Sequence, residues 1–257
     1  MNLKDKIVFI TGASSGIGEA TAKAFAKEGA RLILAARRKE RLKKLTAELK
    51  NSYNTVSLVL ELDVRKKSQV KHKIGNLPEK WKKIDILVNN AGLSRGLDKL
   101  HEGNIKDWDE MIDTNIKGLL YISREVIPLM VKRNSGHIIN IGSIAGHEVY
   151  PKGNVYCATK HAVDAITKGM RLDLVDTAIR VTTIDPGLVK TEFSIVRFRG
   201  NVNKANVVYE GIEPLSADDV ADAVIYAASR PENIVVAEML LLPNKQASTL
   251  VIHRTNS

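Results

Sequence analysis

The chain has 257 residues and a formal charge of +10, from 39 Lys and Arg against 29 Asp and Glu. At 44% hydrophobic and 26% charged residues it has the make-up of a folded globular protein, which excludes wholesale disorder, and no apolar run approaches the ~18 residues of a membrane span. A single cysteine, Cys157, excludes an intramolecular disulfide and a cysteine metal cluster. No metal is expected, and the setting that fits is the cytoplasm. The opening MNLKDKIVFITG reaches a glycine turn without a long apolar stretch or cleavage site, so no signal peptide is expected. The positive excess is uneven: residues 1–60 carry a net +7, residues 61–83 a net +5 and residues 84–257 a net −2. Its basic groups are not interleaved with aromatics, so nucleic acid is not the expected partner. Most are read as a solvated surface, the run 65–83 included; a few are free to serve an anionic cofactor.

The first β-branched run, 6–11, ends in Thr11-Gly12-Ala13-Ser14-Ser15-Gly16-Ile17-Gly18 and passes directly into a helical pattern over 17–28. Glycine there allows a positive φ and lets the backbone approach a pyrophosphate, while the helix N-terminus offers free N–H groups to that anion. Gly12, Ser14, Ser15, Gly16, Ile17 and Gly18 are therefore read as a dinucleotide cradle, the position between strand and helix being the one the mechanism requires. The second run, 31–36, ends in Ala36-Arg37-Arg38 where an NAD site would place a carboxylate. Two guanidiniums suit a phosphate instead, so Arg37 and Arg38 predict NADP(H). A helix over 39–51, a strand over 56–60, a helix over 68–80 and a strand over 84–89 follow.

A long helical pattern covers 108–132, then a strand 137–141, a helix 155–175, a strand 180–185, a helix 217–229 and a strand 235–241. Strands alternating with helices imply parallel pairing through right-handed crossovers. The expected fold is α/β: one domain built on a Rossmann-type, doubly wound, seven-stranded parallel sheet with helices on both faces. Residues 187–214 break the rhythm and read as a lid over a substrate site.

Tyr156 and Lys160 stand at i and i+4, on one face of the helix 155–175. A free phenol has a pKa of ~10, too high for a base near neutrality, and a nearby ammonium is expected to lower it. Ser143, thirteen positions upstream of the phenol, is placed to hold a substrate oxygen beside it.

Taken with Asp63-Val64, Asn89-Asn90-Ala91-Gly92, Asn115 and Pro186-Gly187 followed by Thr191, these residues make the chain resemble the short-chain dehydrogenase/reductase superfamily over nearly its full length. The resemblance implies a catalytic set of Ser143, Tyr156, Lys160 and Asn115, with Asn115 bending its helix and holding a water in a proton relay to Lys160. It implies that Asp63 and the Val64 backbone hold adenine and that Asn90, Ala91 and Gly92 line the adenosine ribose side. Lys160 would bond the nicotinamide ribose, Pro186, Gly187 and Val189 would hold the carboxamide, and Thr191 would near the pyrophosphate. Structural readings stand beside these: Asn90 as a strand tie, Asn115 as the fixing of a helix kink.

The C-terminal third is similar to the group of NADP-dependent 3-hydroxy acid dehydrogenases, which implies small substrates such as L-serine or L-allo-threonine and a homotetramer. A carboxylate substrate needs a cation, for which Arg197, Arg199 and Arg95 are candidates, with Phe193, His147 and Tyr150 near the substrate. The alternatives are an NADPH-dependent carbonyl or 3-oxoacyl reductase and, more remotely, a non-catalytic NADPH-binding regulator.

Overall fold

Seven runs of aliphatic and β-branched residues become seven strands of one sheet in the computed structural model, which describes residues 2–255. The strands are β1 (Ile7–Thr11), β2 (Arg31–Ala36), β3 (Ser57–Glu61), β4 (Ile86–Asn89), β5 (Gly136–Ile141), β6 (Ile179–Pro186) and β7 (Glu238–Leu241). Their spatial order is β3-β2-β1-β4-β5-β6-β7, and every pairing is parallel. The order reverses between β1 and β4, so the chain leaves these neighbouring strands in opposite directions. Such a switch point opens a crevice at the carboxyl ends of the strands, where ligands of this architecture bind.

Strand pleating sends alternate side chains to two cores. Val8 and Ile10 of β1 pack with Phe25 of α1 (Gly16–Lys27), Leu42, Leu45 and Leu49 of α2 (Lys39–Tyr53) and Val220 and Val224 further on. Ile7 and Phe9 face the other way, onto Val70 and Ile74 of α3 (Lys67–Gly75), Trp81 of α4 (Glu79–Lys82) and a later helix carrying Ile122, Val126 and Met130. Burial of each large aliphatic side chain contributes about 1.5–3 kcal/mol, so layers on both sides stabilise the sheet. No helix among the described residues is long and apolar enough to cross a membrane.

Three elements depart from the expectations. The helix expected over 68–80 is two helices, α3 and α4, because Pro78 disfavours helical backbone at the residue before it and supplies no N–H of its own. The long helix is α5 (Ile105–Ile112), a π-helical turn at Asp113–Gly118, and α6 (Leu119–Val131). The last strand begins at Glu238 rather than 235, and its alternating exposure marks the edge of the sheet. After α7 (Asn154–Asp173) and β6, the irregular stretch holds two short helices, α8 (Phe193–Arg197) and α9 (Val202–Val207), and α10 (Ala217–Ser229) then returns to the first core.

Candidate active site

At the switch point lies a cleft of about 310 Å³. Of the predicted cofactor residues, Gly12, Ser14, Ser15, Gly16, Ile17, Arg37, Arg38, Asp63, Val64, Asn90, Ala91, Gly92, Pro186, Gly187, Val189 and Thr191 all line it, together with Ser143, Tyr156 and Lys160. The glycine turn is built as its chemistry demands. Gly12 has φ +67°, and a Cβ there would come within 2.8 Å of the Asn90 amide nitrogen. Gly16 has φ +54°, and its Cβ would press on Thr191. A side chain at either position would fill the cradle, so the backbone is left free to meet an anion. This open turn and the two guanidiniums lining the same cleft fit NADP(H).

Asn90 serves as the strand tie. Its amide donates to the carbonyls of Thr11, at 2.8 Å, and Gly12, at 3.3 Å, bolting β4 to the glycine turn. Asp63 lines the cleft, but its carboxylate is already bound by the Arg65 guanidinium at 2.6 Å. Burial pushes this carboxyl up, and Arg65 outweighs burial to leave it below the usual range. Arg65 thus departs from the solvated surface expected of the run 65–83. With Arg95 and, at 4.0 Å, Arg37, it converges on Glu110. Arg38 donates to Ser14 and Ser15 Oγ at 3.1 and 2.6 Å and pairs with Glu192, which also binds Arg41. Sequence reasoning missed Glu110, Glu192 and Arg41. Only for Arg41 was there a signal, since it lies three positions after Arg38, one helical turn on.

At the other end of the cleft Ser143 closes β5 and caps a short turn, its backbone N–H donating to Asp185 at 3.1 Å and its Oγ accepting from Ala145 N–H at 3.1 Å. The Ser143 hydroxyl points its own O–H at the Pro186 carbonyl, 3.5 Å away. Lys160 is buried, donates to the Ile141 carbonyl at 2.9 Å, and lies 6.0 Å from the centre of the Tyr156 ring. Burial pulls its ammonium down to about 8, with the Asp185 carboxylate opposing.

The expectation that Lys160 lowers the phenol is corrected here. Burial pushes Tyr156 well above the ordinary tyrosine value, the neighbouring Tyr150 adds to the rise, and the cation that opposes it is Arg197. At neutral pH Tyr156 is therefore protonated, the form that donates.

Asn115 sits in the π-helical turn. Its side chain accepts from Leu93 N–H at 2.9 Å and donates to Leu93 O and Thr159 Oγ1 at 2.8 and 3.0 Å. The amide thus ties this turn to the loop after β4 and to α7.

The substrate candidates separate cleanly. Phe193 lines the cleft and packs edge-on to Tyr156 with ring centres 5.6 Å apart. Arg197 is 9% exposed, stacks 5.1 Å from Phe193 and 5.3 Å from Tyr156, and donates to the Tyr150 hydroxyl at 2.9 Å. Its Nε has no partner, and no carboxylate among the described residues pairs with it; with Tyr150 it packs beside the residues that line the cleft and is not one of them. The others are committed elsewhere. Arg199 pairs with Asp107, Arg95 with Glu110, and His147 lies between Asp185 at 3.3 Å and Glu238 at 3.7 Å, outside the residues that line the cleft. Gln246 also escaped sequence reasoning. Buried, it accepts from Leu188 N–H at 2.9 Å and props the Pro186–Val189 segment from behind.

Comparison with known proteins places this geometry. The family model described as short chain dehydrogenase matches residues 6–200. The chain is 44% identical over 253 residues to the NADP-dependent 3-hydroxy acid dehydrogenase of Schizosaccharomyces pombe, covering 98% of each chain. It is 40% identical to the serine 3-dehydrogenase of Rhizobium radiobacter, covering 93% of this chain and 94% of that one. The solved closed form of serine dehydrogenase complexed with NADP+ superposes with a TM-score of 0.90 at 44% identity, over 97% of this chain and all of the other. The chain belongs to the short-chain dehydrogenase/reductase family.

Proposed function

We propose that the protein is an NADP(H)-dependent oxidoreductase that interconverts the C3 hydroxyl and carbonyl of small 3-hydroxy acids, of the L-serine and L-allo-threonine type. The observation that carries the substrate class is Arg197. A buried guanidinium with an unpartnered N–H and no carboxylate partner is costly unless an anion completes it. Here it stands against the ring of the catalytic phenol. A substrate carboxylate held by Arg197 would bring the neighbouring carbons of the substrate to Tyr156. Relatives named for 3-hydroxy acids and for serine support the same reading.

The residues that would hold the cofactor are the Gly12–Gly18 turn, Arg37 and Arg38, Asn90–Gly92, Lys160 and the Pro186–Thr191 segment. Bound there, NADP(H) supplies or accepts the hydride. The protein's own part is proton management. Ser143 Oγ and the Tyr156 hydroxyl together polarise a carbonyl oxygen. Tyr156, kept protonated by its burial, then gives its proton to the oxygen as negative charge develops. In the oxidative direction it must accept that proton, and the cation Arg197 favours the phenolate it has to become. Phe193 and the flanking 187–214 segment act as a lid that keeps water from the reacting atoms. We place the enzyme in the cytoplasm, in keeping with its single, buried, unpaired Cys157. It is taken to work as a homotetramer, for which the exposed Leu172 and Val175 near the end of α7 offer apolar contact surface.

The test is a pair of assays with Arg197→Ala. With L-serine and NADP+ the Michaelis constant should rise at least tenfold, since a charged hydrogen bond contributes about 1.5–3 kcal/mol. With a neutral secondary alcohol it should stay within threefold. Equal losses on both substrates, or greater wild-type activity on an acetoacetyl thioester than on free hydroxy acids, would refute the assignment.

A further inference from the structure

We propose that Glu192 is an internal competitor for the 2′-phosphate of the cofactor, and that Arg41 shares that phosphate with Arg38. The inference rests on the NADP(H) reading above and extends it from the residues that bind the phosphate to one that opposes it. The geometry is specific. Arg41 Nη1 lies 2.8 Å from both Glu192 carboxylate oxygens, and Arg38 Nη1 lies 3.0 Å from Oε2. The rest of Arg38 is turned to the glycine loop, through Ser14 and Ser15. Glu192 and Arg38 both line the cleft, and Thr191, the preceding residue, touches the turn at Gly16. Two adjacent forks therefore converge on one anion at the rim of the nucleotide site.

Carboxylate and phosphate ask the same thing of a guanidinium, two oxygens in a planar fork. A phosphate arriving at Arg38 must displace Glu192 or sit beside a like charge. Both outcomes reduce affinity. Partial burial pushes the Glu192 carboxyl up, but Arg41 and Arg38 outweigh it and hold the group below the usual carboxylate range. It is thus an anion throughout the physiological range. Roughly 40–50% of each of the three side chains is exposed, so the pairing is screened and its cost to the phosphate is modest. Glu192 also leads directly into α8, which carries Phe193 and Arg197.

Calorimetric titration with 2′,5′-ADP and 5′-AMP isolates the phosphate, because the two differ by that group alone. Glu192→Gln, which keeps the shape and removes the charge, should tighten 2′,5′-ADP binding three- to tenfold and leave 5′-AMP within 1.5-fold. Arg41→Ala should weaken 2′,5′-ADP at least fivefold, again without moving 5′-AMP, and should abolish most of the gain from Glu192→Gln when the two are combined. Unchanged or weaker 2′,5′-ADP binding by Glu192→Gln overturns the competition. Arg38→Ala separates this failure from a wider one. If it erases the preference for 2′,5′-ADP while Glu192→Gln has no effect, the phosphate site stands and the competition falls. If Arg38→Ala leaves the preference intact, the phosphate site is wrong and the competition falls with it.

Discussion

Cations in and beside the two ends of the cleft stand under opposite regimes. At the nucleotide end, Arg37, Arg38, Arg41 and Arg65 are partly exposed and each faces a carboxylate, Glu110, Glu192 or Asp63. At the reacting end, Lys160 and Arg197 are buried and pair with no carboxylate among the described residues. Water screens the first group, so those arginines act by pairing with anions. Burial controls the second group, where it brings an ammonium down to about 8 and drives a phenol upward. On the proposed function, the same residue types set affinity in one place and proton transfer in the other. Dielectric environment, more than charge count, makes the difference.

The sharpest break in this contrast is at Tyr156. Tyr156→Phe removes the proton donor and should lower kcat at least a thousandfold, while tryptophan or NADPH fluorescence titration shows cofactor binding within threefold of wild type. Retained turnover would show that the buried end does no acid–base work. The nucleotide end should respond differently. Arg37→Asp should shift the kcat/KM ratio toward NAD+ by at least tenfold, chiefly through KM, because it adds an anion where the phosphate is expected. A change confined to kcat would contradict the division between the ends.

Next comes backbone placement of the serine. Gly142 precedes Ser143, and a Cβ there would overlap Asp185 Oδ1. Gly142→Ala should cost about 1–3 kcal/mol in urea denaturation, with a loss of kcat larger than any change in cofactor affinity. A smaller effect concerns pH. The folded value of Lys160, about 8, lies below its free value of 10.5. Between these pH values the unfolded chain holds more protons than the folded one, so this group makes stability rise with pH by up to about 1 kcal/mol per unit. Melting at pH 7 and 9 should show that rise in wild type relative to Lys160→Met. A parallel pH response in both proteins would place Lys160 in a wetter site than its burial indicates.

Legibility from sequence divides along the same line. The sheet, the glycine turn, Ser143, Tyr156 and Lys160 could be read because strand periodicity, helical spacing and glycine demand are local rules. Arg65 and Asp63 are two positions apart, yet their pairing was not read, since a surface-rich lysine run gives no hint that one arginine turns inward. Glu192 lies 154 positions from Arg38, and only the folded sheet brings them together. His147 was expected at the substrate because it follows Ser143 in the chain, but the turn after Ser143 carries it to Asp185 and the edge strand. The sign of the Tyr156 shift was missed for a related reason. Spacing reveals that an ammonium is near, whereas only packing reveals that water is not.

The π-helical turn at Asp113–Gly118 has a consequence for how one rod serves two interiors. Met111 and Ile122 are eleven residues apart, and in an unbroken α-helix they would point within about 20° of each other. In this molecule Met111 joins the cluster around Tyr156 and Cys157, whereas Ile122 enters the core beneath the sheet. The wider turn acts as a phase shifter between them. Deleting one residue from it would straighten the rod and rotate one half against the other, so that either the catalytic cluster or the sheet core loses its wall. This segment should therefore tolerate almost no change of length.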